Sequence, residues 1–170
     1  MADMLTHVLV AYVLLTVVGW RVEWLTERWV VVGMCGAAIP DLNRLALLVD
    51  ETRIQAALGV PYSFDALHTL LGVLLIAGAV ALLFEPGHRT KAYAVLVAGG
   101  VSHLVVDGWR IYADGRAGFL WYPVPWRSPT PNLYVSADPL VPALAVAVAG
   151  FVFALDRGAH ERLLESNARP

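Results

Sequence analysis

The chain has 170 residues, 58% of them hydrophobic and only 15% charged, with a mean hydropathy of +0.63; soluble domains carry about 25% charged residues. A soluble domain of this size has too much surface to hide that apolar fraction, so the composition predicts one all-α, polytopic helical membrane domain. A net charge of −2 lacks the basic footprint of a nucleic-acid binder, and the single cysteine, Cys35, excludes an internal disulfide.

A membrane-crossing helix needs about 17–25 largely apolar residues, and five spans are expected. The first covers residues 4–20, with Asp3 and His7 at its start. No Lys or Arg precedes it and no small-x-small site follows it, which argues against a cleaved signal peptide. The second starts at Trp29 and meets Pro40-Asp41 after 11 residues. It either enters as a half-helix or continues with Asp41, Asn43 and Arg44 buried among other helices. The third covers 66–84 and opens with Asp65 and His68, where Asp65 reads first as an N-cap. The fourth covers 92–111 and ends with His103 and Asp107, its Gly99-Gly100 pair suited to close helix packing. Residues 114–136 are rich in Pro, Trp and Tyr, which predicts a stiff cap at the headgroup level. The fifth span, 139–155, is free of charge, with Ser136 and Asp138 as N-cap candidates. The expected organisation is a transmembrane domain over 1–156 and a short polar tail over 157–170.

Five alternating spans bring Asp3, His7, Asp41, Asp65, His68, His103 and Asp107 to one face of the bilayer, with His88 and His160 on the other. Five Lys and Arg residues fall on the first face and seven on the second, which puts the second in the cytoplasm. Ionisable residues are costly in hydrocarbon, so such a cluster reads as a metal site. His103 and Asp107, four apart, share a helix face; Asp3 and His7 repeat that spacing in reverse, and Asp65 and His68 stand three apart. Imidazole and carboxylate without thiolate suit Zn²⁺, with Mn²⁺ or Fe²⁺ as alternatives. Seven donors are enough for one or two divalent ions. The bland readings are hydrogen-bonded structural histidines, a solvated terminal Asp3 and capping roles for Asp41 and Asp65.

The run Val101-Ser102-His103-Leu104-Val105-Val106-Asp107, followed by Gly118-Phe119-Leu120-Trp121-Tyr122-Pro123, resembles the YdjM-type inner-membrane metal-dependent hydrolase family. That family carries a Ser-His-x-x-x-Asp motif and a Gly…Leu-Trp-Pro stretch, and opens with an acidic residue and a His, as Asp3 and His7 do here. Pro40-Asp41-Leu42 matches its Pro-Asp-x-Asp motif, with Asn43 in place of the second Asp. His68-Thr69 matches the second half of its His-Arg…Thr-His-Ser motif, with Ser63 at the place of the upstream His. The family looks related to the all-helical zinc phospholipase C and P1-type nuclease group. The resemblance therefore implies a hydrolase of a lipid-linked or membrane-proximal phosphoester, acting by attack of metal-bound hydroxide. His7, Asp41, His68, His103 and Asp107 would hold the metal, and Asp65 or Asp3 would orient the attacking group or shuttle protons. The Asn43 and Ser63 departures imply one metal position fewer, or drift from catalysis. The implied location is the inner membrane, with the N-terminus and the site face extracytoplasmic and a lipid-like substrate entering beneath the aromatic loop.

Two other functions compete. In one, the metal or a His–Asp network is structural and the protein is not catalytic. In the other, the intramembrane carboxylates form a transport or proton path, which five spans without a repeat pair fit poorly.

Overall fold

The apolar stretches fold as helices because backbone groups away from water must bond within their own segment. The computed structural model, which describes residues 4–61, 63–135 and 137–167, contains α1 (Met4–Gly19), α2 (Glu27–Gly36), α3 (Glu51–Leu58), α4 (Leu70–Ala81), α5 (Arg89–Asp107) and α6 (Leu140–Asn167). Short 3-10 segments lie at Pro40–Leu47, Phe64–His68 and Pro86–His88, and no strand occurs among the described residues. All five expected apolar segments are helical and in order. Crossing the membrane is a stricter test. By length and composition Leu140–Gly158 suffices alone, and α2 with Pro40–Leu47 suffices as a pair bent by 44°. The 12 residues of α4 rise only about 18 Å against a hydrocarbon core of about 30 Å. Helix α5 has the length but carries Arg89, Lys91, His103 and Asp107. The structure thus supports one complete crossing, or two with the bent pair.

The second stretch takes the half-helix course. Helix α2 stops at Gly36, and Pro40, which has no N–H to continue an α-helical ladder, opens the 3-10 segment. Asp41 is buried there, Asn43 is half-buried and Arg44 is exposed. What holds α2 in place is a glycine seam against α5. A Cβ on Gly99 would overlap the Gly33 carbonyl oxygen, and one on Gly36 would overlap the Leu96 carbonyl. Backbones this close are possible only without side chains between them, as the Gly99-Gly100 pair leads one to expect. Ile39, Val73, Leu96 and Leu104 form the main core with Ala117 and Leu120 of the long loop; Leu15, Leu25, Val30 and Val95 form a second.

The aromatic loop is a cap, tied by its backbone rather than lying free. The Leu120 and Tyr122 carbonyls accept hydrogen bonds from the Leu70 and Leu71 N–H groups at 2.7 and 2.9 Å, satisfying orphan donors at the start of α4. Thr69, not Asp65, is the side-chain cap of α4: its Oγ1 accepts from Gly72 N at 3.1 Å. Asp138 Oδ1 accepts from Leu140 N at 2.9 Å at the start of α6, and Ser136 lies outside the described residues. Helix α6 continues without a break past Asp156 to Asn167, so no change of backbone marks the expected tail boundary.

Candidate metal centre

Five of the predicted side chains, from four separate elements, converge at the end of α5. His103 and Asp107 stand one turn apart on α5, His7 comes from α1, His68 from the 3-10 segment Phe64–His68, and Asp41 from the one at Pro40–Leu47. Donor atoms of His7, His103 and Asp107 all lie within 4.8 Å of one another, as do those of Asp41, His68 and His103. Asp107 is the hub. His68 Nε2 lies 2.9 Å and His103 Nε2 3.4 Å from its Oδ2, and His7 Nε2 lies 3.5 Å from its Oδ1. The His7 and His103 rings stack at 3.6 Å with planes 11° apart. His7, His103 and Asp107 are at most 1% exposed, and the edge of His68, with 12% of its side chain exposed, is the most open part of the group.

Backbone carbonyls decide which imidazole nitrogen carries the proton. His103 Nδ1 stands 2.7 Å from Ala37 O, and His68 Nδ1 stands 3.2 Å from Pro40 O. A carbonyl oxygen only accepts, so both Nδ1 atoms are N–H donors and, in the neutral rings, both Nε2 atoms carry lone pairs. The break in α2 and the glycine seam create this arrangement by bringing the turn at Ala37–Pro40 against α5. The consequence is a meeting of acceptors: two imidazole lone pairs face a carboxylate oxygen. Such a contact is repulsive unless a cation or an added proton lies between. The Asp41 oxygens, both His7 nitrogens, His103 Nε2 and Asp107 Oδ1 are buried without a hydrogen bond, although Arg44 stands 3.2 Å from Asp41 Oδ1 as an ion pair. Buried polar atoms are normally satisfied. His and Asp donors without thiolate, with Nδ1 held by a carbonyl, form a set that a divalent metal can use.

Other predicted residues fall elsewhere. Asp65 is exposed, lines a cleft with Ala46–Thr52, and belongs to neither donor group. Ser63 caps the 3-10 turn before His68, accepting from Asp65 N at 3.2 Å, and its hydroxyl lies 3.3 Å from Glu51 Oε1. The N-cap role expected of Asp65 is therefore filled by Ser63 for this turn and by Thr69 for α4, because a hydroxyl at each position already faces the free N–H. Asp3 lies outside the described residues, as does the side chain of His160. His88 precedes α5, at the opposite end of that helix from His103, and stands 3.6 Å from Glu85.

Sequence reading missed two tyrosines that hold the hub's helix end. Tyr112 Oη donates to Asp107 O at 3.2 Å and Tyr134 Oη to Val106 O at 2.8 Å. Burial raises both phenols above their ordinary range, Tyr134 strongly, which keeps them protonated as donors. Tyr134 was marked only as an interface aromatic and Tyr112 precedes that stretch; no spacing signals a bond to a helix-terminal carbonyl.

The chain belongs to the YdjM inner membrane protein family, whose model matches residues 1–165. No curated protein and no solved structure matches it.

Proposed function

We propose that this inner membrane protein holds a divalent metal ion, zinc first by donor type, on His7, Asp41, His68, His103 and Asp107, and hydrolyses a lipid-linked or membrane-proximal phosphoester. The observation that carries the metal reading is the acceptor-to-acceptor meeting of His68 Nε2 and His103 Nε2 at Asp107 Oδ2. The two donor groups share His103, and its Nδ1 is engaged by Ala37 O, so one nitrogen serves both. That sharing favours a single ion, in line with Asn43 and Ser63 standing where the family motif has further ligands.

A divalent ion bound there would supply Lewis acidity and lower the pKa of water toward neutral, both of which assist phosphoester hydrolysis. The residues do the rest. Asp107 and Asp41 would offset the ion's charge, and the Ala37 and Pro40 carbonyls hold two imidazoles with Nε2 inward. The open edge at His68 provides access. Asp65, three residues away and exposed, is the candidate proton carrier to solvent. The likeness to zinc phospholipase C and P1-type nucleases, the five crossings and the extracytoplasmic site face belong to this proposal. They are supported by the thiol-free donor set, the order of the helices and the seven-to-five Lys and Arg asymmetry.

A second reading has its own observation. His68 Nε2 and Asp107 Oδ2 at 2.9 Å also suit a charged hydrogen bond from a protonated imidazole, which makes the group a structural network. Elemental mass spectrometry on detergent-purified protein separates the two. One ion per chain, lost in His103→Ala and Asp107→Ala, with chelator-sensitive turnover of a chromogenic phosphodiester, is the expected result. A folded, metal-free wild type refutes the metal reading. Bound metal without turnover leaves the ion structural.

A further inference from the structure

Helices α1 and α6 run side by side in the same direction, clamped at one end by a 2.7 Å hydrogen bond from Trp20 Nε1 to Asp156 Oδ1. Between them lies an apolar groove of about 780 Å³, walled by Val10, Val13 and Val17 of α1 and Val141, Ala145 and Val148 of α6. Its other end is different in kind: Thr6, Trp109, Tyr134 and Asp138 form a polar and aromatic rim. That rim adjoins the metal centre. Thr6 and Val106, both in the groove wall, are the chain neighbours of His7 and Asp107, and Tyr134 bonds Val106 O.

Polarity decides what fits. The α1 wall from Thr6 to Val18 is about 18 Å long and apolar beyond Thr6, and the polar groups of the lining all stand at one end, the pattern of a hydrocarbon chain carrying a headgroup. A chain laid along valine and alanine walls meets no polar group until the rim, where Trp and Tyr take the headgroup level.

We propose that this groove seats one hydrocarbon chain of a membrane lipid and presents the headgroup at the Tyr134–Asp138 rim, beside the His–Asp centre. In naming the substrate as a lipid held by its chain, the inference rests on the phosphoester-hydrolase reading above; the chain seat itself does not. The test uses the full chain in phosphatidylcholine nanodiscs containing phosphatidylglycerol with a diazirine in one acyl chain. After photolysis, peptide mass spectrometry should find labelling of residues 6–18 and 141–148 several-fold above that of Leu75, Leu82 and Leu83, which are 63–84% exposed on and just after α4. Ala145→Trp, or the milder Ala145→Leu, should bring groove labelling down to the α4 level while metal content stays that of the wild type. Equal labelling of the groove and α4 in the wild type means ordinary boundary lipid and overturns the proposal. A dimer in native mass spectrometry of the detergent-purified protein that Ala145→Trp breaks overturns it in favour of a second copy. Groove labelling in a metal-free wild type refutes the metal reading and leaves the chain seat standing.

Discussion

Gly99→Ala tests the link from helix packing to the candidate centre. The added methyl would overlap the Gly33 carbonyl oxygen and come within 2.8 Å of the Ala37 amide nitrogen, both backbone atoms that cannot swing aside. Helix α2 must retreat from α5, at an overpacking cost of about 1–3 kcal/mol. The retreat also carries Ala37 O away from His103 Nδ1, now 2.7 Å apart, and so frees the ring that this carbonyl orients. Loss of such an orienting partner typically weakens metal binding about 10–100-fold. Gly150→Ala is the control, because no atom lies within 4 Å of its Cβ. There the same change should stabilise α6 by about 0.5–1 kcal/mol. Unfolding of detergent-solubilised protein by a denaturing detergent, with metal affinity from chelator competition, reads both effects. Opposite shifts in stability for the two alanines, with weaker metal binding only in Gly99→Ala, are expected. If Gly99→Ala unfolds and binds metal like the wild type, the seam does not set the site. If it is destabilised with unchanged affinity, the carbonyl's orienting role is refuted.

Three further outcomes follow from the same geometry. Thr69→Ala removes the α4 cap and the 2.7 Å bond from Thr69 Oγ1 to Ala66 O; a loss of about 1 kcal/mol is expected, with weaker metal binding through the adjacent His68, and Thr69→Ser should restore both. Tyr134→Phe removes one buried hydroxyl bond, worth about 0.5–1.5 kcal/mol, while Val106 O keeps its bond from Trp109 N at 3.0 Å; the variant should stay folded and keep its metal, and metal loss would show that Tyr134 acts on the site directly. Arg127, 2.6 Å from Asp114, holds that exposed carboxyl below its ordinary range. A lowered folded pKa means the tether is fully present above the unfolded value of about 4 and is lost as pH falls through the folded one. Near-ultraviolet circular dichroism of the aromatic loop should therefore show an acid transition that Asp114→Asn lacks, and an unchanged transition in that variant would refute the assignment.

Seven candidate site residues could be read from the chain as sharing one face, and five of them, His7, Asp41, His68, His103 and Asp107, converge in the structure. His7, Asp41, His68, His103 and Asp107 were legible because an ionisable group within or at the end of an apolar stretch has few other reasons to be there. The five apolar segments were legible as helices too, since apolar runs, Pro40 and the Gly99-Gly100 pair act locally, whereas α3, which buries no residue and shows no apolar run, was not expected. Tertiary structure alone decided the rest. No residue type announces that the Ala37 and Pro40 carbonyls fix two imidazole tautomers, because backbone atoms carry no sequence signal and their positions depend on how closely α2 approaches α5. Asp65 fell outside the donor groups for a similar reason: Ser63 and Thr69 took the capping bonds at either end of its turn and left its side chain exposed. The α1–α6 groove joins segments more than 120 residues apart, and its existence depends on a packing distance that composition does not contain.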